Sequence, residues 1–177
     1  DRWPEIVHNM QNRIGISSGQ MVTGNMGSES RMNYTMMGDN VNTAARLESS
    51  AKQYGIYIQI ADSTYQPVKD KIVVRDLDNV RVLGKSEPVK VFELISEIGQ
   101  EPAKYKKILP AYHEALDLYK NQEWKKAIEA FKASDALEDM FPGRKTNPSR
   151  IYIPRCEHFL DNPPGDNWDG VWTLTSK

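Results

Sequence analysis

Several features that would narrow the function are absent or scarce in this sequence of 177 residues. The single cysteine, Cys156, cannot form a disulfide within the chain, which excludes a disulfide-built secreted scaffold. No apolar run approaches the ~18 residues of a membrane-spanning helix, and no basic-then-apolar leader opens the chain. The formal net charge of −1 gives no reason to expect nucleic acid or an anionic membrane surface as a partner. What remains, with 39% hydrophobic and 27% charged residues, is a globular composition.

The first part of the chain, residues 1–97, mixes strand and helix patterns. Short runs rich in β-branched residues predict strands at 13–16, 20–22, 33–37, 56–61, 72–74, 80–83 and 89–94. Alanine and leucine recur at helical spacing after Asn42, which predicts a helix that ends at Gly55. Residues 62–64 (Asp-Ser-Thr) offer a cap for a short helix that is predicted before Pro67. We therefore expect an α+β fold, with a sheet that is incomplete on its amino-terminal side.

The second part, residues 98–177, has no strand pattern and is predicted to be a small all-α appendage. The composition changes at residues 98–102, which marks the predicted domain boundary. Apolar residues at helical spacing predict helices at 105–119, 124–137 and 150–160. The first two resemble a single tetratricopeptide unit, which cannot bury its own apolar face, so we expect it to pack against something. The tail is predicted to fold Trp168 and Trp172 back onto the body.

The most informative stretch runs from residue 31 to residue 48 and reads R-M-N-Y-T-M-M-G-D-N-V-N-T-A-A-R-L-E. It predicts a strand, a Gly-Asp turn and a helix in direct succession. Asn42 and Arg46 are four residues apart, so their side chains lie on one face of that helix. A guanidinium there can bind a phosphate and the amide can hold a sugar oxygen. From the spacing alone, an asparagine cap and a solvated arginine explain the pattern better.

A longer set of motifs changes that balance. The run R-I-G-I-x-x-G-x-x-x-x-G-N-M-G-S precedes Y-T-M-M-G-D-N-V-N-T-A-A-R-L-E, and both G-I-Y-I-Q-I-A-D-S-T-Y and V-L-G-K-S-E-P-V-K-V-F-E-L follow in order. Together they resemble the second half of a class III nucleotide cyclase catalytic domain, over residues 12–95. The resemblance implies a sandwich of helices on a sheet with the ferredoxin-like β-α-β-β-α-β core of that family.

The resemblance also implies roles for four residues. Asn42 would orient the ribose and Arg46 would stabilise the transition state at the α-phosphate, so both are candidate catalytic residues. Thr35 stands at the base-selecting position, as in bacterial and cyanobacterial adenylate cyclases, and its hydroxyl can bond to adenine. Lys85 is a candidate contact for the polyphosphate, although an exposed turn lysine with no role fits equally well. The implied activity converts ATP to 3′,5′-cyclic AMP and pyrophosphate.

Metal ions and a second subunit are further implications of the resemblance. The family reaction uses two Mg²⁺ or Mn²⁺ ions, but this sequence offers no convincing carboxylate pair to bind them, since Asp1 and Glu5 are isolated. We expect the metal ligands in a half of the domain that precedes Asp1, and therefore expect this chain to be inactive alone. The implied assembly is a homodimer through the cyclase part, with ATP as substrate, in the cytoplasm, either free or as the cytoplasmic part of a longer membrane-anchored protein. Neither nucleic acid nor membrane contact is expected.

Other residues with chemical potential have simpler explanations. The three histidines lack ligand spacing, and Cys156 is predicted to be a core residue. The methionines of the first part suit an adaptable packing or dimer surface; they are Met10, Met21, Met26, Met32, Met36 and Met37.

Three alternatives to an adenylate cyclase stay open at this point. A guanylate cyclase is the nearest, although Thr35 disfavours it. The chain could also be a regulatory nucleotide-binding domain without turnover, if the metal-binding aspartates of the longer protein are substituted. Finally, the helical appendage could define the function as a protein-binding adaptor, with the α/β part as a relic.

Overall fold

The structure is a computed structural model that describes residues 3–4, 7, 10–80, 88–139 and 144–172. Its strands are β1 (Ile14–Ile16), β2 (Val22–Ser28), β3 (Arg31–Met37), β4 (Ile58–Ala61), β5 (Ile72–Val80) and β6 (Val89–Glu97). Its helices of four or more residues are α1 (Asp39–Tyr54), α2 (Asp62–Tyr65), α3 (Tyr105–Lys120), α4 (Trp124–Asp135) and α5 (Pro148–Asp161). A 3₁₀ turn, Gln66–Val68, follows α2. The predicted α+β class is confirmed.

The strands form two separate sheets. Four of them make a sheet in the order β1-β4-β6-β5, in which β1 runs parallel to β4 and the other neighbours are antiparallel. The other two, β2 and β3, form an antiparallel hairpin of their own, with Val22 opposite Met37 and Ser28 opposite Arg31. The hairpin therefore leaves the main sheet after β1 and leads directly into α1.

Three of the strand predictions are wrong in extent. The strand predicted at 20–22 is instead the seven-residue β2, which runs through Gly24 and Gly27 to Ser28. The two strands predicted at 72–74 and 80–83 are one continuous β5 as far as Val80, and residues 81–83 lie outside the described part. Charged residues interrupt the apolar pattern of β5, and its pairing with β6 has two register shifts, one between Val73 and Val74 and one between Asp76 and Asp78.

Helix α1 lies directly on β1 because Gly15 has no side chain. A Cβ added at Gly15 would lie 2.1 Å from the carbonyl oxygen of Ala44 and 2.4 Å from the amide nitrogen of Glu48. The helix begins at Asp39, three residues before the predicted start, directly after Gly38. The helix ends at Gly55, as predicted. Gly55 adopts the left-handed conformation with φ 64°, and its N–H donates to the backbone oxygens of Ala51 and Lys52 in the last turn.

The helical part has an aromatic core of its own. Tyr112, Tyr119, Phe131 and Tyr152 are each no more than 2% exposed and pack with their neighbours mostly edge to face. The predicted return of the two tail tryptophans is confirmed: the Trp168 ring lies 5.1 Å from Tyr119, and Trp172 packs on Phe159 at 5.2 Å. Cys156, fully buried, is a core residue as predicted.

The helical part is not separate from the sheet. Tyr152 of α5 donates a hydrogen bond to the backbone oxygen of Leu77 in β5. Arg75 of β5 is fully buried between Glu93 of β6 and Glu138, which follows α4. The helical part therefore does lean on another surface, and that surface is the β5 edge of the sheet. The boundary at 97/98 and the tetratricopeptide likeness both stay predictions.

Candidate active site

The strand–turn–helix predicted at 31–48 is present as β3, Gly38 and α1. Gly38 has φ 152°, a backbone conformation that side-chain-bearing residues rarely adopt, and it turns the chain from the strand into the helix. Asn42 lies in the first turn of α1 and Arg46 lies one turn later, and both are exposed. The structure thus places the amide and the guanidinium on the same exposed face of a helix whose buried residues include Thr43 and Leu47.

Thr35 lies on β3, three residues before the turn. It pairs with Gly24 in the hairpin register, and a Cβ added at Gly24 would meet no atom within 4 Å. Because cross-strand partners place their side chains side by side on one face of a sheet, Thr35 has no side chain beside it from that partner. Thr35 is itself exposed, so a ligand can approach it from that direction.

A polar contact that the sequence did not reveal connects the start of α1 to the loop after β1. Asn40 accepts a hydrogen bond from the Ser17 hydroxyl at 3.1 Å and donates one to the Gln20 backbone oxygen at 3.3 Å. A Cβ at Gly19 would lie 2.0 Å from the Asn40 amide nitrogen. The sequence does not distinguish Asn40 from other asparagines, although it lies only two residues before Asn42. Gly19 was the one sequence feature that could have indicated a close approach of another side chain to this loop.

The metal and polyphosphate contacts are the least complete part of the site. Among the described residues, no group of three or more His, Cys, Asp or Glu side chains is arranged to bind a metal ion. Asp39 is the acidic residue in the first turn of α1, and one carboxylate does not make a two-metal site. The described residues therefore do not fit two metal ions. Lys85 lies outside the described residues.

The buried titratable groups belong to packing, not to the candidate site. Burial raises the pKa of the Cys156 thiol to about 12, so it stays protonated and is no nucleophile at neutral pH. Burial likewise raises the pKa of Tyr105 to about 12 and raises the pKa of Glu93 against the opposing effect of Arg75. Tyr105 and Glu93 lie near Arg75, between the sheet and the helical part, and Cys156 lies in the core of the helical part.

The family model described as "Adenylate and Guanylate cyclase catalytic domain" matches residues 4–96. This is more than half of the 177 residues. The chain therefore belongs to the class III nucleotide cyclases, as the sequence motifs predicted. None of the described helices is long and apolar enough to cross a membrane.

Individual relatives point to the same family. The chain is 37% identical over 147 residues to the terminal-differentiation-specific adenylate cyclase of Dictyostelium discoideum, which covers 81% of this chain and 7% of that protein. It is 34% identical over 86 residues to adenylate cyclase 1 of Rhizobium meliloti, covering 49% of this chain and 13% of that protein. The chain thus spans a small fraction of either relative.

One solved structure in the same family is the adenylyl cyclase CyaB from P. aeruginosa. The sequence identity is 31% and the TM-score 0.44, over 55% of this chain and 50% of that one. The family model ends at residue 96, whereas 147 residues align with the Dictyostelium relative. That alignment therefore extends into the helical part.

Proposed function

We propose that this chain contributes the substrate-orienting half of an adenylate cyclase, which converts ATP to 3′,5′-cyclic AMP and pyrophosphate. The observation that supports it most directly is the exposed pair Asn42 and Arg46 on the helix after the hairpin, in a chain of the cyclase family. Arg46 is exposed and is not enclosed in the core, which is what contact with a substrate requires.

The reaction forms one bond and breaks another at the same phosphorus. The ribose 3′-oxygen attacks the α-phosphorus and loses its proton, while the bond to the β-phosphate oxygen breaks and pyrophosphate leaves. Arg46 would donate hydrogen bonds to the nonbridging α-phosphate oxygens, where charge is redistributed in the transition state. Asn42 would hold the ribose so that the 3′-hydroxyl lies in line with the leaving oxygen.

On this proposal the divalent metal ions and their carboxylates come from outside the described residues, and a second copy of the longer protein completes the site. When bound, such ions activate the attacking hydroxyl and neutralise the leaving phosphates. The exposed apolar residues of the hairpin fit a homodimer contact; Val22, Met32, Tyr34, Met36 and Met37 are each more than half exposed.

A cyclisation assay tests the proposal and separates ATP from GTP. A longer polypeptide that adds the preceding half of the domain is incubated with either nucleotide and Mg²⁺ or Mn²⁺, beside this chain alone. We expect cyclic AMP from the longer protein and no product from the chain alone. Cyclic GTP as the main product would favour a guanylate cyclase, and binding without product would favour a regulatory domain.

The substitution Thr35→Ala tests base selection within the same assay. Loss of one neutral hydrogen bond, worth about 0.5–1.5 kcal/mol, should lower kcat/KM for ATP by about 2- to 13-fold and leave that for GTP unchanged. Thr23→Ala is the matched control, since Thr23 is exposed on the neighbouring strand and pairs with Met36. An unchanged ATP-to-GTP ratio would remove Thr35 from base selection.

A further inference from the structure

The carboxyl-terminal end of α1 is held by a group outside the helix. Tyr54, its last residue, is 4% exposed, and the Tyr54 hydroxyl donates a hydrogen bond of 2.7 Å to Asp78 Oδ2. Asp78 belongs to β5, which is the edge strand farthest from β1 in the sheet. The helix is therefore fixed at both edges of the sheet: it packs on β1 through Gly15 and is bonded to β5 through Tyr54.

The carboxylate of Asp78 is shared with the helical part. Arg155 of α5 places Nη1 2.7 Å from the same oxygen that accepts from Tyr54, and the two charged side chains are 11% and 5% exposed. The other oxygen of Asp78 accepts the backbone N–H of Asn79 at 2.9 Å. One buried carboxylate thus receives a hydroxyl from α1 and a guanidinium from α5. Removing the guanidinium leaves a buried charge without its main partner, which a folded protein tolerates poorly.

A second contact lies at the residue that ends α1. Arg144 donates a hydrogen bond from Nε to the Gly55 backbone oxygen at 3.0 Å, and its Nη1 lies 2.9 Å from Glu138 Oε2. A Cβ at Gly55 would lie 2.0 Å from the Thr146 backbone oxygen, so the segment before α5 rests directly on this turn. Ile151 of α5 packs against the cluster that includes the buried face of α1.

We propose that Arg155 is a positioning residue for the cyclase reaction. Arg155 fixes the position of α1 through Asp78 and Tyr54. Because Asn42 and Arg46 belong to α1, their positions are fixed as well. The assignment rests on the proposed function and gives Arg155 no contact with the nucleotide. Arg46 lies eight residues, about 12 Å, from Tyr54 along a helix that moves as one rod. A displacement of about 1 Å at a reacting group can cost about 10²-fold in rate, so a small shift of the rod is enough.

Two variants cut the connection at different points. Arg155→Gln removes the guanidinium, and Tyr54→Phe removes only the hydroxyl while the ring stays in the core. Arg150→Gln is the matched control, because Arg150 is also on α5 but pairs with Asp135 at 2.8 Å, inside the helical part. Each is measured in two ways: hydrogen exchange of the α1 amides in this chain, and kcat and KM of the longer cyclase per folded molecule.

The expected kinetic result is a split between kcat and KM. Arg155→Gln should lower kcat by about 5- to 50-fold and Tyr54→Phe by about 3- to 10-fold, with KM changed less than about two-fold. Arg150→Gln should stay within about two-fold in both parameters. A merely structural role would reduce the folded fraction and leave kcat per folded molecule unchanged, and that result would overturn the proposal.

The exchange result is independent of the enzymatic one. We expect faster exchange in α1 for Arg155→Gln and Tyr54→Phe, with α3 and α4 unchanged, and no effect of Arg150→Gln. Unchanged exchange in α1, or equal acceleration throughout the chain, would contradict the positioning role. If Arg155→Gln does not fold, Tyr54→Phe decides the question alone. If the unsubstituted cyclase forms no cyclic nucleotide, the proposed function fails, and the exchange pattern still decides whether Arg155 fixes α1.

Discussion

The β2–β3 hairpin and the helical part are both rich in large apolar residues, but the hairpin exposes these residues to solvent and the helical part buries them. All seven residues of β3 are exposed, among them Tyr34 at 74% and Met32 at 60%. In the helical part Tyr112, Phe131 and Cys156 have no exposed surface. In the part of the chain that the structure describes, no second layer covers the two-stranded hairpin, whereas three helices and the tail enclose the aromatic core.

Because of this difference, the residues that stabilise the fold and the residues of the candidate site lie in different parts of the chain. The candidate site residues Thr35, Asn42 and Arg46 all lie in the exposed region, and the buried cores contain none of them. Substitutions in the helical core should therefore lower the free energy of unfolding. Substitutions on the exposed hairpin and α1 face should change activity or assembly, with little effect on folding.

The largest expected effect is that of Phe131→Ala in the helical core. Phe131 is fully buried, and its ring stacks on Tyr152 with centroids 5.0 Å apart. We expect the free energy of unfolding in urea to fall by about 3–5 kcal/mol, because the substitution leaves a cavity. Leu137→Ala is the control, since Leu137 is 40% exposed, and should cost less than about 1 kcal/mol. Equal losses for the two variants would contradict the role of Phe131 as a residue of the buried core.

The next effect is that of Arg46→Ala on the exposed face of α1. The kcat of the longer cyclase should fall by about 10²–10³, as for loss of one preorganised donor, while the free energy of unfolding changes by less than about 0.5 kcal/mol. Arg13→Ala is the matched control: Arg13 is also partly exposed and lies 3.6 Å from Glu48 of the same helix. Full turnover in Arg46→Ala would remove this residue from the mechanism.

A smaller effect is expected for Tyr34→Ser on the hairpin. The dissociation constant of the proposed homodimer should rise about tenfold, since large aromatic residues dominate such contacts, and the free energy of unfolding should change by less than about 0.5 kcal/mol. Sedimentation equilibrium measures the first quantity and urea denaturation the second. Leu160→Ser, on an exposed residue of α5, should leave the dimer unchanged. An unaltered dimer in Tyr34→Ser would place the contact elsewhere.

The smallest effect concerns His113, which lies on α3 against β5. Burial lowers the pKa of His113, against the opposing charge of Asp76, and its Nε2 accepts the Asp76 backbone N–H at 3.3 Å. Between the usual histidine pKa of about 6.5 and the lower folded value, only the unfolded chain binds the proton. The free energy of unfolding should therefore fall as the pH drops below about 6.5, and less steeply in His113→Gln. Urea midpoints at several pH values measure both slopes, and equal slopes would contradict the prediction.

The sequence predicted the helical part well because helical periodicity is local. The helices expected at 105–119 and 124–137 are observed as Tyr105–Lys120 and Trp124–Asp135, which differ by one or two residues at their ends. The third, expected at 150–160, begins two residues earlier because Asn147 caps it by accepting the N–H of Arg150. Apolar spacing alone does not reveal a cap that lies outside the periodic stretch.

The strands were harder to predict because their stability comes from distant partners. The glycines of β2 read as turns, yet β2 forms because β3 pairs with it over seven residues. In β5, the charged Arg75 is fully buried, and its burial depends on Glu93 and Glu138, which are far away in the sequence. No local sequence pattern predicts ion-pair partners that are so distant in the sequence.

The sequence predicted which residues form the candidate site, but it did not predict which groups surround them. Asn42 and Arg46 were identified by one helical turn and by the family motif, and the structure places both on an exposed face. The open space beside Thr35 follows from its pairing with Gly24, and the register of that pairing is known only from the structure. The attachment of α1 to α5 through Asp78 depends on residues 54, 78 and 155, which no motif connects.

The burial of Arg75 sets a practical limit on where this protein can be cut. A truncation after residue 97 would remove Glu138 and open one side of the guanidinium to water. It would also leave the Leu77 carbonyl without the Tyr152 hydroxyl, along an edge strand already prone to pair with other chains. Expression of the family-matched region alone should therefore yield aggregates that a longer boundary, beyond α5, avoids.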